Sequence, residues 1–189
     1  FPASPNLINN AANSYLGILA APVFSHNGGF YNAGFNLNIT SSDQANIIYS
    51  LDGSDPIAEN LNLQTYNYKT TYPFFIGEPF GQLFTFTYQA FQYSGPIPIA
   101  DRTNSNNKIS TITTGLNFVN PNYKVNKGTV VKAMATKPNY LSSEFVEQSY
   151  FINDTGNNPY NLPVISLGIQ ENRLFDYYSG GYIPGIEMD

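Results

Sequence analysis

Apolar and polar residues alternate along this chain with a period of two, in short runs separated by turn-forming clusters. In "FNLNIT", Phe35, Leu37 and Ile39 alternate with Asn36, Asn38 and Thr40. "LFTFTYQA" sets Phe84, Phe86 and Tyr88 against Thr85, Thr87 and Gln89, and "TVVKAMA" sets Val131, Ala133 and Ala135 against Val130, Lys132 and Met134. In "PVISLGI", Ile165, Leu167 and Ile169 oppose Val164, Ser166 and Gly168. A period of two places alternate side chains on opposite faces of a strand. Between the runs lie His26-Asn27-Gly28-Gly29, Asp52-Gly53-Ser54-Asp55-Pro56, Asn126-Lys127-Gly128 and Thr155-Gly156-Asn157-Asn158-Pro159. These residues supply positive φ, Asx turns and stops to pairing. Helical periodicity is confined to residues 10–20 and a single turn in "ENRLFDYY" at 171–178. Short strands with such punctuation predict an all-β chain, an antiparallel sandwich.

Length and charge narrow the function classes. A chain of 189 residues can bury a sizeable core, and 42% of its residues are hydrophobic. Only 11% are charged, the net charge is −5, and the eight Lys and Arg are scattered singly. No basic stripe is available to neutralise phosphates, which argues against nucleic acid and against an anionic membrane surface. The absence of cysteine removes thiolate metal sites, cysteine nucleophiles and disulfides. No run approaches the roughly 20 apolar residues of a spanning helix. The start at Phe1-Pro2, without Met or a leader, reads as a mature chain.

Three divisions follow. Residues 1–20 lack alternation and form an extension or linker. Residues 21–153 form the sandwich. Residues 154–189 lead toward a further domain. Within the sandwich, residues 58–95 are crowded with Phe and Tyr, which must add strands to the sheet or cover one of its faces.

Several stretches read together carry a resemblance. Pro22, Phe24 and Gly28 precede Tyr49-x-x-Asp52-Gly53-Ser54-x-Pro56, then Tyr93-x-Gly95-Pro96-Ile97. Val130, Val131, Ala133 and Ala135 precede Tyr140 and Ser143. This pattern resembles the chitobiase/β-hexosaminidase C-terminal-like module, also described as fibronectin-III-associated. Asn139 stands where that family prefers Gly, and Asn tolerates positive φ. "LPVISLGIQENRLFDYYSGGYIPG" at 162–185, with "IADRTNSNNKIS" at 99–110, resembles the leader of spore-coat-protein-H (CotH) type proteins. The likeness spans roughly 21–185. It implies an immunoglobulin- or fibronectin-III-like sandwich that is accessory rather than catalytic. It also implies an extracellular or envelope setting and, as partner, a kinase-like domain downstream in the same polypeptide.

Candidate sites are few. Asp52-Gly53-Ser54-Asp55-Pro56 reads as a strand-ending structural turn, with Asp52 and Asp55 as weak calcium ligands. Calcium wants six to eight oxygens, and this stretch lacks the spaced ladder of an EF-hand. A small glycoside hydrolase needs two facing carboxylates. Glu78 in "FFIGEPF" is the one acid in an apolar run, and it reads as a turn residue. No nucleophile elbow appears, and the single His26 closes His-dependent triads. Asp101-Arg102 reads as a local ion pair or a loop fastening. No catalytic residue, metal or cofactor is assigned. The aromatic segment is either core or interface packing, or a polysaccharide-stacking surface. In the second case "TYNYKTTY" is the exposed part and Tyr66, Tyr68 and Tyr72 carry the contact. The function expected is therefore a non-enzymatic module that positions a downstream domain. A carbohydrate-binding module is the alternative, and a hydrolase the weakest reading.

Overall fold

The computed structural model describes residues 15–42, 44–155 and 160–188. Among these the chain is almost entirely strand, turn and extended segment, as the alternation predicts. The larger sheet takes strands in the order β2 (Gly29–Tyr31), β11 (Val146–Ile152), β10 (Thr129–Thr136), β5 (Asn46–Ser50) and β8 (Phe91–Gln92). All its pairings are antiparallel except β2 with β11. Opposite it lie two short antiparallel pairs, β1 (Val23–Phe24) with β4 (Ile39–Thr40), and β3 (Phe35–Leu37) with β9 (Ile97–Ile99). Pro98 sits mid-strand in β9, which pairs on one side only, so its missing N–H breaks no ladder.

The core between these layers consists of the inward residues of the period-two pattern. Leu37, Ile39, Ile47, Ile97, Ile99, Val131, Ala133, Tyr150 and Ile152 pack there. Each Ile or Val so buried contributes roughly 1.5–3 kcal/mol. Tyr93 fastens the layers, because its hydroxyl accepts the Ile39 amide at 3.1 Å while its own amide donates to Ile47 O at 2.8 Å. Ser143 Oγ accepts the Ala135 amide at 2.9 Å, ending β10. Asn139, in the position where a glycine was expected, has φ +65°.

The aromatic segment adds one short strand, β8, to the edge of the large sheet, but most of it stands apart from that sheet. It forms a separate hairpin, β6 (Gln64–Lys69) with β7 (Leu83–Tyr88). Its apex, 74–80, turns on Glu78, whose carboxylate accepts the amides of Phe74 and Phe75. The only α-helix among the described residues, α1 (Glu171–Phe175), packs against β6.

Two expectations need correction. The strand predicted at "PVISLGI" does not form; 163–170 is extended but unpaired, with Ile165 and Leu167 exposed. Both edges of β11 are already occupied, by β10 and β2, so the segment crosses outside the sheet, where Ser166 Oγ meets Ser149 Oγ and Gly168 lies against the Glu147 side chain. Helical character does not extend to 15–20 either. Residues 16–19 run along 139–141, with Leu16 N donating to Asn139 O and Leu19 N to Leu141 O. The earlier part of the predicted helix, residues 10–14, lies outside the described residues.

Tyr150 is fully buried and its hydroxyl donates to His26 O at 2.8 Å. Burial, and then Tyr31, push its pKa up to about 12. A raised folded-state value means that this contribution is complete below the unfolded value near 10 and is lost as pH rises toward 12. The unfolding free energy from urea titrations should therefore fall between about pH 10 and 12, by roughly 2–3 kcal/mol from Tyr150 alone, and the midpoint with it. A midpoint that stays flat across that window would contradict the assignment.

Candidate functional site

The corner after β5 is built from its own side chains outward. Gly53 has φ +80°, a conformation glycine adopts without strain. Asp52 Oδ1 accepts both the Ser54 amide at 3.0 Å and the Ser54 hydroxyl at 2.5 Å, an Asx turn. Ser50 Oγ donates to Ser54 O at 2.6 Å, and Ser54 and Pro56 are fully buried. Register then brings charge to the corner. Lys132 lies opposite Ser50, on the outward side of β10. Its ammonium meets Asp55 Oδ1 at 2.6 Å, while Arg173 of α1 meets Asp55 Oδ2 at 2.9 Å. The Asp55 and Lys132 side chains are only 13% and 12% exposed, whereas Arg173 is 63% exposed.

This geometry overturns the calcium reading of Asp52 and Asp55. The first carboxylate closes its own turn, and both oxygens of the second are held by cations. No group of three or more His, Asp or Glu among the described residues is placed to hold a metal ion.

A second hydrophobic cluster joins the hairpin to the segment containing α1. Tyr66, Tyr68, Tyr88, Ile112 and Phe175 are buried together. Tyr68 stacks on Phe86 with ring centroids 4.0 Å apart and planes 6° from parallel. Glu171, 4% exposed, accepts the Tyr66 hydroxyl at 2.8 Å and the Lys108 ammonium at 2.5 Å. Burial first, and then the Glu171 charge, raise the Tyr66 hydroxyl far above the usual tyrosine value, so it remains a donor. Tyr88 Oη accepts from Gln170 Nε2 and Asn172 Nδ2. Backbone pairing adds to this: Tyr177 N donates to Asn67 O at 2.6 Å, and Asn67 N donates to Asp176 Oδ2 at 3.1 Å.

The three tyrosines are therefore not an exposed row. Tyr66 and Tyr68 are 2% and 8% exposed, and half-buried Tyr72 accepts the Gly185 amide through its hydroxyl. Stacking on a sugar would require them to leave this core. The exposed rings of the segment are instead Phe74, Phe75 and Phe80, at the hairpin apex, and Phe91 in β8. The polar neighbours in "TYNYKTTY" carry no sign of the segment that covers it, which lies more than a hundred residues later.

Asp101 and Arg102 also separate. Asp101 accepts the Thr103 amide at 2.7 Å, and its bonds to Thr103 hold its carboxyl below the usual range. Arg102 turns to Gly128 O. His26, at a turn as expected, stacks on Phe35 with centroids 4.2 Å apart.

Residues 37–150 match a family described as Fn3 associated. The chain belongs to that family. No curated protein and no solved structure matches it. The Fn3-associated span contains the corner, β10 and the hairpin, whereas Arg173 and Glu171 lie beyond it. Sequence reasoning missed Lys108, Lys132, Glu171 and Arg173. The available signal was a Lys inside the apolar run "VVKAMA", in a chain with so few charges.

Asp55→Ala strands Lys132 without its partner and should lower stability by about 3 kcal/mol. Arg173→Ala, at the exposed arm of the same bridge, should cost less than about 1 kcal/mol. Urea denaturation of the two variants would show equal losses if Asp55 were only a surface charge. Tyr66→Phe removes a donor from a buried carboxylate and should cost roughly 1.5–3 kcal/mol in the same assay.

Proposed function

We propose that this chain is a non-catalytic accessory module of an exported, CotH-type multidomain protein, which holds the segment leading to a following domain in a fixed attitude. The observation that carries this reading is Asp55. One carboxylate, at the most motif-like corner of the module, binds both the large sheet through Lys132 and the 171–186 segment through Arg173. A flexible tether needs no such fastening, and no second hydrophobic cluster. Membership of the Fn3-associated family, whose modules are accessory β-sandwiches, supports the non-enzymatic part. Among the described residues no helix is long and apolar enough to cross a membrane.

Hydrogen–deuterium exchange tests the reading on the intact chain. Amides of Arg173, Tyr177 and Tyr182, which donate to Gln170 O, Asn67 O and Leu174 O, should exchange at least ~10²-fold more slowly than unstructured amides. An Asp55→Asn/Glu171→Gln variant should speed their exchange while leaving β10 protected. Fast exchange at these amides in the unmodified protein would remove the positioning role.

A further inference from the structure

A cleft of about 820 Å³ opens beside the corner, between the start of β10 and the 100–110 and 125–128 loops. Its apolar wall includes Leu51, Phe91, Pro98 and Val130, and its polar wall includes Arg102, Lys127 and Asn126. We propose that this cleft binds a small organic anion, with a carboxylate or phosphate set against Arg102 and Lys127 and an apolar body against Phe91 and Val130.

The charges in the cleft are unevenly satisfied. Its two acids are already engaged, Asp52 by Ser54 and Glu171 by Tyr66 and Lys108. Arg102 and Lys127 have no carboxylate within 4.0 Å among the described residues. Arg102 reaches only Gly128 O, at 3.4 Å, and Lys127 reaches the carbonyls of Thr103 and Val125 at 3.3 and 2.8 Å. Lys127 is half-buried, and burial together with Lys124 and Arg102 lowers its pKa. Like charges held this close in a chain of net charge −5 are unfavourable without a counter-charge, and an anion supplies one. Arg102 retains free guanidinium donors, the geometry suited to bidentate contact with carboxylate or phosphate.

Benzoate and phenyl phosphate, with benzyl alcohol as the neutral counterpart, titrated into ¹⁵N-labelled protein test the assignment. At least one anion should shift amides within 101–110 and 125–130 with a dissociation constant on the order of 1 mM, and benzyl alcohol at equal concentration should not. Which anion binds more tightly separates carboxylate from phosphate recognition. An Arg102→Gln/Lys127→Gln variant should weaken binding about 10-fold or more. Should that variant unfold, raising salt from about 0.02 to 0.3 M must weaken anion binding to the unmodified protein severalfold. Equal shifts from benzyl alcohol, shifts confined to other regions, or binding insensitive to both salt and the variant would overturn the proposal.

Discussion

Asp55 binds Lys132 on one side and Arg173 on the other, and the arrangement of the remaining parts depends on that carboxylate. It lies where β5 has ended and Pro56 prevents further pairing, so its direction is set by the Asx turn of Asp52 and the buried Ser54 before it. Lys132 arrives by strand register alone, since a shift of one residue would turn it into the core. A largely buried pair offers little net stability over an apolar pair, but leaving one charge unpartnered is costly. The corner therefore specifies a geometry more than it strengthens the fold.

The second cluster follows from what a hairpin cannot do alone. Two strands have too little apolar surface to be stable in water without a covering element. β6 and β7 carry more rings than they can bury against each other, and α1 with the residues after it supplies the cover. Glu171 can be buried only because Tyr66 and Lys108 both donate to it. Hairpin and segment are thus mutually dependent: each buries what the other leaves open. The apex at 74–80 lies past the end of that cover, and its rings remain exposed.

The sandwich was legible wherever period and burial coincide. The inward residues of "FNLNIT" and "TVVKAMA" are core residues, and the corner is the turn its residues describe. "PVISLGI" has the same alternation and failed as a strand, because alternation gives a segment two faces but no free edge on which to pair. Tyr66 and Tyr68 were misplaced for a related reason. Threonines and a lysine nearby suggested solvent, yet β6 is covered by residues more than a hundred positions later, and no local pattern records that distance.

By itself the sequence determined that the chain is all-β, where its turns fall, which faces of its strands are apolar, and membership of the Fn3-associated family. Those properties depend on residues two to five apart, and backbone geometry turns such spacings directly into faces and turns. Tertiary structure alone decided that Asp55 joins a strand to a helix, that Glu171 is buried against Tyr66, and that Arg102 and Lys127 line a cleft with no acidic partner among the described residues. Charge and burial act through space, so their consequences are fixed only when distant segments meet.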